Sequence, residues 1–339
     1  MQKTMTLLLP KALTVILCFF SFSAFASEED QPKQVNTAAQ FDEYYNYTFK
    51  DYASLLRQRS LQPADSSCAT TYTPFIQDGV LNTVIAFGYL DHEAITTTPQ
   101  IDNTGYNYGP IRVSDRSMFL AVKNNLTADC KYKNDNLCGF NIISQSSNTS
   151  VLSKSVLIHD QQTEVRITMA HPSVTDSHVL NETEYKQQQL SRSQQVEDLF
   201  KYGLEKGDVT FYIGHSRDGG GPDFFPPILR KDMHVNYSLY QSKKTGLNTI
   251  LKSLSGRQDN HSILGLFSCS SKRHFESKIL NVKPNKKMIL SNDLVYFSET
   301  LEAALGYLGA FMRGYCGPQL KESALQSDRT KYGFADYNL

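Results

Sequence analysis

The chain has 339 residues, with 34 basic and 34 acidic side chains and therefore no formal net charge. Charged residues make up 20% of the sequence and hydrophobic residues 40%, which excludes a disordered chain, a collagen-like repeat and a disulfide-packed miniprotein. The neutral balance gives no electrostatic argument for binding nucleic acid, so no nucleic-acid partner is expected. The length accommodates one large domain or two of moderate size.

Residues 1–26 have the pattern of a secretory signal peptide. Lys3 and Lys11 lie at its basic end, residues 12–22 form an apolar run, and Ala24-Phe25-Ala26 supplies the small residues that a signal peptidase requires. The run is too short for a comfortable membrane span, and no later stretch approaches about 18 apolar residues, so no span is expected once the signal is removed. The sequence predicts an exported protein, periplasmic or extracellular, with a disordered lead-in over residues 27–40.

The cysteine count depends on this signal. One of the six cysteines, Cys18, lies inside it, so five would remain after cleavage. In an oxidising compartment an even subset of them should pair, and at least one thiol is left over. Cys130 and Cys138 enclose a short polar segment and are the simplest local pair. Cys68 with Cys316 is the second candidate disulfide, although the sequence leaves the connectivity open.

Residues 41–150 are predicted to form a β-rich region that begins with one helix. Short apolar runs separated by turns indicate the strands, and a stretch rich in Thr, Asn and Gly indicates a loop. The predicted elements are a helix over 41–59, extended runs over 81–90, 118–122 and 140–144, and a loop over 92–110. This region forms either an accessory domain or a part of one larger α/β unit.

Residues 151–325 show a different rhythm, in which helices and strands alternate. A hairpin is predicted around residues 160–162, and Gly207 closes the first long helix. The later elements are helices over 191–205, 240–254, 272–280 and 298–312, and strands over 209–213, 263–267 and 288–291. This order predicts an α/β fold, a parallel sheet with helical crossovers, followed by a tail over 326–339.

Two chemically reactive residues stand just beyond two of these strands. His215 follows the strand 209–213 and opens a glycine-rich loop, and Cys269 follows the strand 263–267 behind Ser268. Parallel strands place such residues at one edge of the sheet, where sites in α/β proteins are found. A deprotonated thiol attacks carbonyl carbon and an imidazole transfers the protons, so the pair predicts acyl-transfer chemistry.

With these two segments, Ile213-Gly214-His215-Ser216 and Phe267-Ser268-Cys269, the sequence resembles the caspase–legumain–gingipain superfamily (clan CD) of cysteine peptidases. The similarity covers roughly residues 191–314, and the 54 residues from His215 to Cys269 are close to the spacing of about 50 in caspases. The resemblance implies a caspase-like fold, with Cys269 as the nucleophile and His215 as the proton donor to the leaving amine. It also implies that the backbone N–H of Ser216 contacts the oxyanion.

Other interpretations of the same residues stay open. Ser216 stands where the family has glycine, and no glycine follows Cys269, which favours a non-enzymatic exported binding protein on the same fold. Gly214-His215-Ser216 also begins like the elbow of a serine hydrolase, but Asp218 stands where that turn needs a small residue. Considered alone, Cys269 could be a buried residue that fills space in the apolar core, or half of a disulfide, and His215 could simply hydrogen-bond to loop carbonyls.

The charged residues near these segments do not indicate which substrate side chain is preferred, because their signs are opposed. Asp218 and Asp223 are candidates to bind a basic substrate side chain, and Arg217 and Arg273 to bind an acidic one. The expected partner is a peptide or protein substrate, and the sequence does not indicate an oligomeric state. The histidines lack the spacing of a zinc site, so no metal is expected. No cofactor is expected either.

Overall fold

The computed structural model describes residues 38–58, 63–93, 111–130, 136–259, 261–325, 327 and 330–339. The predicted signal peptide lies outside these residues, as does the lead-in up to residue 37 and most of the predicted loop over 92–110. Residues 38–40, which the sequence assigned to the lead-in, already belong to the first helix.

The described strands form one large sheet and one small one. In chain order they are β1 Val80–Phe87, β2 Asp91–Glu93, β3 Ile111–Val113, β4 Asn141–Gln145, β5 Thr149–Ile158, β6 Gln161–Ala170, β7 Val209–Ile213, β8 Ile263–Phe267, β9 Lys287–Ser291 and β10 Phe334–Tyr337. The large sheet has the order β10-β9-β8-β7-β1-β6-β5-β4, and β2 pairs with β3 separately. The five central strands, β9 to β6, are parallel to one another. Strand β10 is antiparallel to β9 and β5 is antiparallel to β6, while β4 is antiparallel to β5 and so has the direction of the central strands. The predicted α/β class is confirmed, and the sheet, which was expected to be parallel, is mixed and mostly parallel.

Helices cover both faces of this sheet. The described ones are α1 Ala38–Gln58, α2 Ala69–Ile76, α3 Asp115–Thr127, α4 His178–Glu182, α5 Lys186–Lys206, α6 Tyr237–Lys243, α7 Thr245–Gly256, α8 Ser271–Val282, α9 Phe297–Phe311 and α10 Gly317–Ala324. Helices α5, α7 and α8 share one apolar core with the sheet. On the other face, Phe211 of β7 and Phe267 of β8 meet Phe311 and Tyr307 of α9. No helix within the described ranges is long and apolar enough to cross a membrane.

The predicted division near residue 150 does not correspond to a break in the sheet. Strand β1, from the predicted N-terminal region, lies between β6 and β7, in the middle of the sheet. The region also contains three helices, so it is a mixed part of one α/β unit and not a β-rich domain. The predicted tail contributes β10, which pairs with β9. The chain therefore builds its sheet from residues far apart in sequence.

Two local predictions are corrected. The extended run over 118–122 lies inside helix α3, whose buried residues Met118, Ala121, Val122 and Leu126 follow a helical spacing. A run of five apolar residues fits a buried helix as well as a strand, and the flanking polar residues belong to the same helix. The helix predicted over 240–254 is two helices, α6 and α7, because the backbone turns left-handed at Lys244, with φ 49°.

Four cysteines form two disulfides. Cys68 at the start of α2 is joined to Cys316 before α10, and Cys130 is joined to Cys138. These are the two pairings that the sequence suggested. Among the described residues, Cys269 is the one cysteine that keeps a thiol. The interpretation of Cys269 as half of a disulfide is therefore excluded in this structure.

Candidate functional site

The register of β7 against β8 brings His215 and Cys269 to the same edge of the sheet. Ile213, the last residue of β7, pairs with Phe267, the last residue of β8. The Gly214 N–H donates to the Phe267 carbonyl at 3.2 Å, which extends the pairing by one position. His215 and Cys269 each stand two residues beyond this pair. Because the strands are parallel and adjacent, His215 and Cys269 occupy equivalent positions after neighbouring strand ends.

The backbone turns sharply within a few residues of both His215 and Cys269. Arg217 and Asp218 have φ values of 47° and 50°, and Ser270 has 50°, all in the left-handed region that non-glycine residues rarely adopt. Such conformations cost of order 1–3 kcal/mol each and cluster at functional sites. Within the described part of the chain, neither the Ser216 N–H nor the Cys269 N–H has a hydrogen-bond acceptor. Two amide donors without an acceptor thus follow the ends of the two neighbouring strands.

Hydrogen bonding determines which nitrogen of the His215 ring carries the hydrogen. Its Nε2 lies 3.0 Å from the backbone carbonyl of Asp91 and 3.4 Å from the Asp91 carboxylate. A carbonyl oxygen only accepts, so Nε2 must carry the hydrogen, and the neutral ring then has its lone pair at Nδ1. The Phe297 ring packs edge-on against the imidazole at 5.1 Å, and the side chain is 23% exposed. Burial lowers the pKa of His215, and the Asp91 carboxylate opposes that effect. The ring is therefore neutral and suited to act as a base.

Asp91 belongs to a buried network of charges. Its carboxylate pairs with the guanidinium of Arg217, whose side chain is fully buried. On its other side Arg217 donates to Asp223 at 2.8 Å, and Asp223 also accepts from the Tyr240 hydroxyl at 2.8 Å. Burial alone would raise the pKa of Asp91, but attraction to Arg217 and then to His215 outweighs it and lowers the pKa to about 2. Asp91 therefore stays ionised beside His215 throughout the physiological range.

The thiol of Cys269 is partly exposed and contacts the segment that follows β9. Its Sγ lies 3.5 Å from the backbone carbonyl of Val295. The Ser270 N–H donates to the Asp293 carbonyl at 2.7 Å, so two adjacent residues join this segment to the strand end. The same segment leads into Phe297, which packs on His215. The residues after β9 thus contact both members of the candidate pair.

The four charged residues that were predicted to bind substrate fall into two groups. Arg217 and Asp223 are not available for a substrate, because they are buried and paired with each other. Asp218 and Arg273 lie nearer the surface, and both approach His274, at 3.7 Å and 3.3 Å. The prediction failed for the first two because sequence alone does not distinguish a solvated charge from a buried ion pair.

The serine-hydrolase interpretation does not fit the geometry. A nucleophilic elbow needs a helix directly after its serine. Ser216 is buried and is followed by a short 3-10 turn over Arg217–Gly219, and the next helix begins at Tyr237.

Three residues of the site were missed in the sequence: Asp91, Val295 and Phe297. Asp91 lies shortly after the buried strand β1, and Val295 lies shortly after the buried strand β9. A position just after a buried strand is also the sequence signal that identified His215 and Cys269. Using it for Asp91 requires knowing that β1 lies beside β7, a contact between segments more than 120 residues apart.

The strand ends thus bring a thiol, a neutral imidazole, an ionised carboxylate and two amide donors to one edge of the sheet, and these are the kinds of group that acyl transfer from an amide or ester uses. Comparison of the chain with protein-family models, with curated proteins and with solved structures gives no match.

Proposed function

We propose that this protein is an exported cysteine peptidase, or a related amide hydrolase, that acts through Cys269 and His215. The observation that carries the proposal is the register of β7 against β8. Their last residues are paired, and His215 and Cys269 each lie two residues beyond that pair. The unpaired state of Cys269, while four other cysteines form disulfides, supports it further.

In the proposed reaction the thiol proton moves to His215 Nδ1 as Sγ bonds to the carbonyl carbon of the scissile amide. The electron pair of the C=O bond moves to oxygen, and this oxyanion accepts hydrogen bonds from the Ser216 and Cys269 N–H groups. The imidazolium then gives its proton to the amide nitrogen as the C–N bond breaks, which leaves a thioester on Cys269. Water hydrolyses the thioester and restores the thiol. Asp91 stabilises the imidazolium while it exists.

The resemblance to the caspase–legumain–gingipain superfamily supports the same assignment of roles, since both of its strand-end motifs occur here. The two disulfides agree with folding in an oxidising compartment, which supports export to the periplasm or the extracellular space.

A second candidate function is a non-enzymatic exported binding protein on the same fold. The contact of the Cys269 thiol with the Val295 carbonyl favours it, because that carbonyl lies 3.5 Å from the sulfur and occupies part of the space around it. Ser216, in place of the glycine usual in the superfamily, points in the same direction.

Thiol alkylation distinguishes the two candidates. The disulfide-intact protein is treated with iodoacetamide between pH 6 and 9, and the adducts are mapped by mass spectrometry. We expect one adduct, on Cys269, and a rate at neutral pH that falls about tenfold or more in His215→Ala, because the imidazole accepts the thiol proton. The control is His261→Ala, an exposed histidine just before β8 at the opposite edge of the sheet, which should leave the rate unchanged. An inert Cys269, or a rate independent of His215, would contradict the peptidase proposal.

A further inference from the structure

Large apolar side chains are unusually exposed beside Cys269. Leu294 is 77% exposed, Tyr332 is 76% exposed and Tyr296 is 67% exposed, which places them among the four most exposed large apolar residues in the described part of the chain. Single exposed apolar residues need no explanation, but a group of them on neighbouring segments marks an interaction surface. We call these three residues the apolar rim.

Hydrogen bonds hold the two segments of the apolar rim together. The Asn292 backbone N–H donates to the Gly333 carbonyl at 2.8 Å, and the Asn292 side-chain amide donates to the Tyr332 carbonyl at 2.9 Å. Leu294 and Tyr296 flank Val295, whose carbonyl touches the thiol of Cys269. The rim is therefore attached directly to the segment that lines the reactive sulfur.

The charged residues on these segments are engaged locally. The Asp293 carboxylate accepts the Leu294 N–H at 2.8 Å, and the Lys331 ammonium lies 5.4 Å from the centre of the Tyr332 ring. The nearby residues Asp218 and Arg273 lie against His274 and offset each other in sign. The charges on and near these segments are opposite in sign, so no single charge dominates there and the three large apolar side chains are the distinctive feature of this surface.

We propose that the apolar rim, Leu294, Tyr296 and Tyr332, binds a large apolar or aromatic side chain next to the scissile bond, so that the substrates are peptides with such a residue at that position. This inference rests on the proposed function. The occupant is a substrate peptide because the Val295 carbonyl lies 3.5 Å from Sγ, so a peptide bound at the thiol passes close to the two rim residues that flank Val295. Burial of one large apolar side chain there favours the matching peptide by about tenfold or more over a charged one.

The test uses three peptidyl acyloxymethyl ketones that differ only in the residue next to the ketone, Phe, Asp or Lys, and measures the rate at which each alkylates Cys269. We expect the Phe probe to react at least tenfold faster than the other two. Leu294→Ser and Tyr296→Ser should each slow the Phe probe severalfold, and the double variant should slow it by about tenfold or more. The rates with the Asp and Lys probes and with iodoacetamide should change little.

Leu157→Ser and Tyr202→Ser are the matched controls, since these side chains are 61% and 58% exposed and lie toward the opposite edge of the sheet. They should not alter any rate.

If iodoacetamide still reacts with Cys269, two results would overturn the inference: equal rates for the three probes, or a Phe preference that survives in the double rim variant. A thiol inert even to iodoacetamide would instead reject the proposed function. In that case, binding of a fluorescent Phe-containing peptide to the wild type and to the double rim variant decides the inference, because equal binding would overturn it.

Discussion

Arg217→Met is expected to lower the free energy of unfolding by about 3–5 kcal/mol, because removing one partner of a buried ion pair leaves uncompensated charge in the interior. The Arg217 side chain is fully buried and lies between the carboxylates of Asp91 and Asp223. Methionine has a comparable length and an apolar stem, so the change removes the charge while filling most of the volume. Urea denaturation followed by far-ultraviolet circular dichroism at pH 7 measures the effect.

The matched control for this prediction is Arg273→Met. Arg273 lies at the same edge of the sheet but is exposed, so its replacement should change stability by no more than about 0.5 kcal/mol. The triple variant Arg217→Met, Asp91→Asn, Asp223→Asn should recover part of the loss, since it removes the unpaired carboxylates along with the cation. A loss below about 1 kcal/mol for Arg217→Met would mean that the network carries little of the local stability.

Asp91→Asn is expected to lower kcat/KM for peptide hydrolysis by roughly tenfold to hundredfold, because the imidazolium that forms on His215 loses its neighbouring negative charge. The loss should be smaller than the ~10⁴ that follows when a carboxylate alone fixes the tautomer. Here the backbone carbonyl of Asp91 also holds Nε2, and that bond survives the substitution.

The pH dependence separates this role from a structural one. Asp91 raises the pKa of His215 against the effect of burial, so Asp91→Asn should lower it further. Hydrolysis requires the neutral ring, so the acid limb of the kcat/KM profile should move to lower pH. Asp218→Asn, a change at a half-exposed carboxylate of the same loop, should leave both the rate and the profile close to wild type. An unshifted acid limb in Asp91→Asn would show that the carboxylate does not act on His215.

Local patterns were sufficient for much of the fold. The strands β7, β8 and β9 are short and mostly apolar, and helical segments separate each from the next, so their parallel arrangement follows from the sequence. The run over 118–122 was misassigned because five apolar residues show no period, and only the wider spacing to Leu126 reveals the helix. The predicted boundary near residue 150 failed because strand order is set by contacts across the whole chain.

The candidate site divides in the same way. His215 and Cys269 could be predicted, because each follows its own strand and adjacent parallel strands end at one edge. Asp91 could not, because its role depends on β1 lying beside β7. Arg217 and Asp223 could not be distinguished from surface charges in the sequence, because the guanidinium lies between the buried carboxylates of Asp91 and Asp223 only once β1 and β7 are paired.

The central claim is that Cys269 and His215 form a catalytic pair, and peptide hydrolysis tests it most directly. A mixture of synthetic peptides is incubated with the disulfide-intact protein, and the cleavage products are counted by mass spectrometry over time. We expect cleavage by the wild type and a fall of at least about 10³-fold in both Cys269→Ala and His215→Ala, with the circular dichroism spectrum unchanged. Cleavage that persists in Cys269→Ala, or a wild-type protein that cleaves none of the peptides, would contradict the account.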